Sequence, residues 1–385
     1  MADHFEEVTT TSWGERVGNS FLGPIIGFCF FIASFFVLIW NENRSLEVMQ
    51  TLDEGRHILV SVSPDSIDPQ NNGKLVYFTG PADTEETLRD TTFGIREHAL
   101  RLKRTVKIFQ WREYTSEETH DNFGGSQTTT KSIDYKKVWQ EGLINSAEFK
   151  HPEGHRNPMT VPYYSQDFTA SDIHVRSFRL ARDLSDKIDT FVQYPATSQT
   201  YSAMPASISR NFTMYGDKYY MGDPTNMKVG DLQVEFSVIR PMDISVIGMQ
   251  KNNAVEAYTA KHGEIAIVSA GNISSDKLFD KEENKNRLET WGWRGGGFLM
   301  MWFGLMALFS PITAVSSVIP LLGSIVGAGI SFSMLPIALG LSLGTIAITW
   351  AFIRPLAGIT IFIAAIAAFL IFVPTKKKMP RSESS

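Results

Sequence analysis

The sequence predicts a membrane protein with four transmembrane α-helices. A large mixed, mostly β extracytoplasmic domain sits between helix 1 and helix 2. Three observations carry this prediction. The 385 residues are 43% hydrophobic and 20% charged, but the charge is gathered between about Asn41 and Arg294 and both flanks are apolar. Across 298–373 only Arg354 is formally charged. Between the apolar blocks, short segments alternate with a period of two, the signature of half-buried strands.

The elements follow in chain order. Residues 1–19 form an acidic leader, with Asp3, Glu6, Glu7 and Glu15 against Arg16. Residues 20–40 carry no charge and are long enough to cross a hydrocarbon core of roughly 30 Å. A cleaved secretory signal would have a basic leader and a shorter apolar core, so 20–40 reads as a retained helix ending at Trp40. Residues 41–290 form the large domain. In "LRLKRTVKIFQW", Leu102, Val106 and Ile108 share one face. In "DLQVEFSVI", Leu232, Val234, Phe236 and Val238 do the same. "HILVSV", "KLVYFTG" and "GEIAIVSAG" read as shorter strands, and "DNFGGSQTTTK" as a polar hairpin tip or mobile loop. Leu184, Ile188 and Phe191 stand at helical spacing, and "SSDKLFDKEENKNRLETW" reads as a Ser-capped helix running into the membrane.

Residues 291–373 make a membrane block with three further helices at about 298–319, 332–353 and 356–373. Pro311 kinks the first, while 311–331 is left open between crossing, lying flat and re-entering. Arg354 falls about one bilayer from Phe332, so a turn with a snorkelling side chain is favoured over a functional intramembrane charge. Pro355 suits the first position of the next helix. Residues 374–385 carry Lys376, Lys377, Lys378 and Arg381, which places this tail in the cytoplasm. Four spans then put residues 1–19 on the same side and the large domain opposite.

The sole cysteine, Cys29, lies in the first helix, so the large domain has neither disulfides nor thiolate metal sites. His151 and His155 stand four apart, but Pro152 and Gly154 break any helix that would aim both at a metal. Ser63 in "SPDS" has no base fixed beside it and reads as a turn. "WGWRGGGF" fits neither a phosphate loop nor a dinucleotide fingerprint. Instead, Trp291 and Trp293 suit the headgroup level, Arg294 snorkels, and Gly292 and Gly296 allow close helix approach, against a merely flexible linker. No cofactor, metal or nucleic-acid module is expected.

Several strings occur in order along the chain: "WNENRSLE", "LVSVSPDSIDPQNNGKLVYFTG", "KIFQWREY", "WQEGLINSAEFKHPEGHRNP", "VGDLQVEFS", "LFDKEENKNRLETWGWR" and "IRPLAG". The set resembles the transmembrane protein 43 family, also called LUMA. The family-like positions are Ser63, Pro64, Asp65, Ser66, Trp139, Gly154, His155, Asn157, Pro158, Gly230, Asp231, Trp291, Gly292, Arg294, Arg354 and Pro355. The resemblance implies four membrane helices around a large domain. In animals it implies the endoplasmic reticulum and inner nuclear membrane, self-association, and partners of the lamina and emerin type. The acidic leader looks more like bacterial members, which implies an inner membrane, a periplasmic domain and no lamina partners.

The function expected first is a non-enzymatic membrane organiser: a homo-oligomer that positions membrane-protein partners or lipids. A lipid-binding or lipid-modifying protein is the alternative, and its enzymatic form needs Asp65, His155 and Asp231 to converge. A channel or transporter ranks last, because the membrane block lacks acids.

Overall fold

The computed structural model describes residues 3–353 together with Ile363 and Ile366. The chain divides into two compact units. One holds the residues up to Glu7 with Gln50–Glu117 and Lys131–Glu282; the other holds Val8–Met49, Glu118–Thr130 and the chain from Glu283 onward. The principal elements, in chain order, are β1 (His4–Thr11), α1 (Trp13–Ser20), α2 (Leu22–Ile58), β2 (Leu75–Asp83), β3 (Arg101–Asp121), β4 (Gln127–Glu141), β5 (Leu232–Ile239), β6 (Met242–Lys251), α3 (Ser275–Leu308), α4 (Ser310–Ser316) and α5 (Pro320–Ile353).

The first unit is mixed and mostly β. An eight-stranded sheet runs β1-β4-β3-β5, then Lys218–Met221 and Thr213–Tyr215. A seven-stranded sheet centres on β6, which pairs antiparallel with β2, Ile267–Ala270 and Ala254–Glu256. The period-two residues behave as their spacing requires. Leu102, Val106 and Ile108 of β3 and Leu232, Val234, Phe236 and Val238 of β5 are buried in one core with Val76 and Phe78 of β2 and Ile244 and Val246 of β6. Alternation puts these side chains on a single face, so one register buries them all.

Two inward positions of β3, Arg104 and Gln110, are not apolar. Arg104 is buried and donates from Nη1 to Asp90 Oδ2 at 2.5 Å, from Nε to the Tyr164 carbonyl at 2.9 Å and from Nη2 to Gln166 Oε1 at 3.0 Å. Asp90, also buried, accepts from the backbone N–H groups of Thr92 and Phe93. The pair survives burial because its remaining polar atoms are also bonded.

Several expectations are corrected. Within 1–19, the residues up to Glu7 do not stand apart from the large domain but belong to the sheet unit. β1 takes the edge of the eight-stranded sheet beside β4, and Asp3 and His4 bond to Tyr135 and Asp134. An edge strand offers unpaired backbone groups, and β1 fills them. The sheet unit does not begin at 41, because α2 continues as helix past Trp40 to Ile58; it takes up His57 and Ile58 of "HILVSV", while Val60–Ser61 forms the expected strand, paired with β2. The helical spacing of Leu184, Ile188 and Phe191 yields only a single turn, Arg182–Ser185, before the strand Val192–Tyr194.

In the second unit, α2 and α5 carry apolar stretches long enough to cross a membrane. α3 and α4 form a pair bent by 50° that counts as one further span. The described residues therefore hold two or three candidate spans, and the expected span 356–373, the tail 374–385, Arg354 and Pro355 lie outside them. The break at Phe309 sits beside Pro311, as expected of a residue that cannot continue the helix. The segment 320–331 is helical: α5 starts at Pro320 and runs on through Gly323, Gly327 and Gly329, so the span expected at 332–353 is the second part of one helix. The sequence "DNFGGSQTTTK" forms a docked hairpin tip. Arg16 of α1 donates to the Gly125 carbonyl at 2.7 Å and pairs with Asp121 at 2.9 Å. Gly125 has φ +82°, and an added Cβ would strike the Trp13 ring, so glycine is needed there twice over.

Asp90→Ala leaves Arg104 buried without its carboxylate. Its expected cost is about 3–5 kcal/mol of unfolding free energy, read by chemical denaturation. A loss below about 1 kcal/mol would show that the pair is not structurally important.

Candidate functional site

A polar seam lies where α2 and α3 leave their apolar stretches, and it belongs wholly to the second unit. The two helices run antiparallel, and glycines set their separation below the seam. A Cβ on Gly27 would meet the Gly304 carbonyl and Ala307, and a Cβ on Gly304 would meet the Phe31 backbone. A Cβ on Gly297 would meet Leu38. Glycine lets two helix backbones approach this closely.

At this spacing the next turns are polar. Asn41, Glu42 and Ser45 of α2 face Asn286, Thr290 and Arg294 of α3, which recur every four residues along one face. Glu42 is the centre. Its side chain has no accessible surface, and Arg294 grips it from Nε and Nη2, both at 2.7 Å. Trp350 of α5 donates its indole N–H to the same carboxylate at 2.5 Å. Asn41 donates to the Thr290 carbonyl at 3.2 Å, Thr290 donates its hydroxyl to the Asn286 carbonyl at 2.7 Å, and Asn286 donates to the Ser45 carbonyl at 3.0 Å. One carboxylate thus joins three helices through a two-pronged guanidinium bond and an indole. Among the described residues, Asn41 Oδ1, Asn286 Oδ1, and Arg44 Nε and Nη2 are buried without a hydrogen-bond partner.

Arg294 therefore does not snorkel. It turns inward, because a carboxylate stripped of water needs a counter-charge, and its guanidinium lies 4.9 Å from the Trp291 ring centre. Trp291, Trp293 and Trp40 remain exposed, and Trp40 meets Trp293 edge-on. Sequence reasoning missed Glu42, Asn41, Ser45, Asn286, Thr290 and Trp350 as site residues. The available signal was the run of polar residues directly after an uncharged helix.

The family-like positions in the sheet unit do not assemble into one site. Ser63 caps a turn by accepting from the Asp65 N–H at 3.3 Å, the Pro64 carbonyl accepts from the Ser177 N–H, and Asp65 pairs with Arg176 at 3.7 Å. Ser66 lies in the same turn. Asp231 accepts from the Lys228 N–H at 2.7 Å just after Gly230, whose φ is +101°. Trp139 packs against Phe109 and Tyr220. Asn157, followed by Pro158, latches the loop to Trp111: its Oδ1 accepts from the Trp111 N–H and its Nδ2 donates to the Trp111 carbonyl. Asp65, His155 and Asp231 each hold a separate set of partners.

His155, after Gly154 with φ +86°, is buried in an aromatic box. It stacks on Tyr135 at 3.9 Å and meets Trp111 edge-on at 4.8 Å. Its Nδ1 lies 3.0 Å from the His151 carbonyl and its Nε2 3.3 Å from Asp3. Phe5 of β1 stacks on His151. The two histidines thus fasten the N-terminal strand, and no group of three or more metal-ligating side chains forms among the described residues. Burial pushes Tyr135 up to about 12, and its hydroxyl, which donates to Glu113 at 2.6 Å, adds to the shift.

The chain is similar to known transmembrane proteins. Residues 108–355 match the family model described as Transmembrane protein 43. The chain is 30% identical to Transmembrane protein 43 of Mus musculus, with 94% of this chain and 93% of that protein covered. It is 29% identical to the protein of that name in Rattus norvegicus, over the same shares. It is 26% identical to the Transmembrane protein 43 homolog of Drosophila melanogaster, covering 90% of this chain and 93% of that one. No solved structure matches.

Glu42→Ala strands Arg294 and is expected to cost about 3–5 kcal/mol. The double replacement Glu42→Met with Arg294→Met removes both charges and should recover most of that loss in the thermal transition of the detergent-solubilised protein. A double variant no better than the single one would show that the charges themselves are needed. For Tyr135, a raised folded-state value means a stability contribution fully present below about 10 and lost as pH rises through about 12. Tyr135→Phe should flatten the pH dependence of unfolding in that window, and an unchanged slope would remove Tyr135 as its source.

Proposed function

Because the chain belongs to the transmembrane protein 43 family, we propose that it is a non-enzymatic multi-pass membrane protein that self-associates and organises protein or lipid assemblies. The supporting observation is that α3 has two glycine faces of opposite fate. Gly297 and Gly304 are closed against α2, whereas a Cβ built on Gly292, Gly295 or Gly296 meets nothing within 4 Å. The open glycines continue into the exposed Leu288, Leu299 and Phe303, a stripe at helical spacing. Such a face suits a helix of a second copy, because small residues let backbones pack in lipid, where no hydrophobic force drives association. The membrane proposed is the bacterial inner membrane, or the endoplasmic reticulum and inner nuclear membrane if the source is eukaryotic.

A second reading, lipid binding beside the membrane, is favoured by Arg44. Its Nε and Nη2 lack partners among the described residues, its Nη1 bonds Glu289 at 2.9 Å, and it stands 6.0 Å from the exposed Trp40 ring. A guanidinium beside interfacial tryptophans suits a phosphate headgroup.

Native mass spectrometry from nanodiscs separates the two readings. Self-association predicts a single oligomeric mass that falls towards monomer when Gly292 and Gly296 are both replaced by Leu. An unchanged mass in that double variant counts against this seam. A monomer retaining one lipid class at fixed stoichiometry supports the second reading.

A further inference from the structure

A cavity of about 1030 Å³ opens in the sheet unit, walled by the strands Thr87–Asp90 and Gln166–Thr169, the start of β3 and the single-turn helix Arg182–Ser185. Its charged lining is Arg89, Arg101, Arg179 and Arg182 against only Asp167 and Asp186. We propose that this cavity binds a phosphate-bearing anion: a phosphomonoester on a polar body the size of a sugar or nucleotide.

Arg101 carries the argument. It is half-buried, and its guanidinium is fixed by donating from Nη1 to the carbonyls of Asp186 and Ile188 and by lying 5.1 Å from the Phe191 ring centre. It forms no ion pair with any carboxylate among the described residues, and its Nε is buried without an acceptor. A fixed, partly desolvated cation without a counter-ion leaves a positive potential in the cavity wall. Arg89 adds to it. It stands directly across from Arg96 in the two-stranded ribbon Thr87–Asp90/Ile95–His98, a like-charge pairing that is unfavourable unless an anion relieves it. Arg179 and Arg182 pair with Asp172 at 3.0 Å and Asp186 at 3.7 Å, and both arginines are well exposed. Such surface pairs contribute little and exchange readily for a better anion.

Guanidinium groups match phosphate in geometry, since their planar fork donates two parallel bonds. A phosphomonoester brings about −1.5 to −2 charges near neutral pH, enough to offset the surplus of arginines. The volume is at the upper end for small-molecule sites, about 300–1,000 Å³, and exceeds what a bare inorganic ion fills. The rim is also held in place. Glu86 accepts from the N–H and hydroxyl of Ser171 and from the Asp172 N–H, which keeps that loop from collapsing inward.

The test uses the full chain in phosphatidylcholine nanodiscs at constant ionic strength. Glucose 6-phosphate is titrated calorimetrically, with glucose as the control. Saturable binding of the phosphate but not of glucose is expected, weakened about tenfold or more in the Arg179→Ala/Arg182→Ala variant, whose exposed positions carry no part of the core. Arg101→Met should abolish binding while the thermal transition of the unliganded protein stays within a few degrees. A second arm replaces part of the bilayer with phosphatidic acid. If only this lipid is retained, and the same substitutions release it, the phosphate is a lipid headgroup; saturable binding of glucose 6-phosphate makes it a soluble ligand. Equal affinity in parent and variants, or no saturable binding of either phosphate, overturns the proposal. None of these readouts depends on the oligomeric mass.

Discussion

A carboxylate without water must be satisfied entirely by protein, and Glu42 sets that requirement for the membrane unit. Arg294 supplies two charge-assisted bonds and Trp350 a third. Such bonds are short, directional and strong where the local dielectric is low. They fix the rotation of α3 about its own axis, because only one face can present Arg294 to α2. That rotation in turn decides which glycines meet α2 and which are left outside. The same carboxylate ties the C-terminal part of α5 to the pair, so one buried charge orders three apolar helices whose hydrophobic surfaces alone would allow many alignments.

The glycines make the arrangement close rather than merely aligned. Gly27 and Gly304 bring the two backbones near enough that a methyl group on either would collide with the other helix. Dispersion between packed backbones replaces the hydrophobic driving force that lipid does not supply. The polar rungs from Asn41 to Thr290 then begin where the apolar stretch ends, and the tryptophans mark that level on the outside. The amide oxygens of Asn41 and Asn286 have no hydrogen-bond partner among the described residues.

In the sheet unit a different logic applies. The core is apolar, with the Asp90–Arg104 pair enclosed by its own hydrogen bonds. The edge of the large sheet is covered by β1, held through Phe5, Asp3 and the aromatic box around His155. His151 and His155, four apart in the sequence, act as a clasp on β1. The hairpin of β3 and β4 loses its buried alternation beyond Trp111, which is why its outer part depends on docking against α1 rather than on a core.

Much of this was legible from residue order. Uncharged runs identified the apolar helices, because the medium that accepts about 20 such residues in a row is lipid. Period-two spacing picked the buried faces of β3 and β5, and α3 starts at Ser275, where its polar run suggested. Each of these signals is local: a residue's few neighbours fix its conformation and its burial. The pairings were not local. Glu42 meets Arg294 across 252 positions and Trp350 across 308, and His4 meets Asp134 across 130. Composition marked Arg294 as a charge beside a membrane but could not say that it turns inward. It marked Gly292 and Gly296 for close helix approach, although a Cβ on either meets nothing within 4 Å, whereas Gly297 faces a leucine. Which partner a charge finds, and which glycine is covered, depends on helix rotation and depth, and these are set by close packing between segments far apart in the chain.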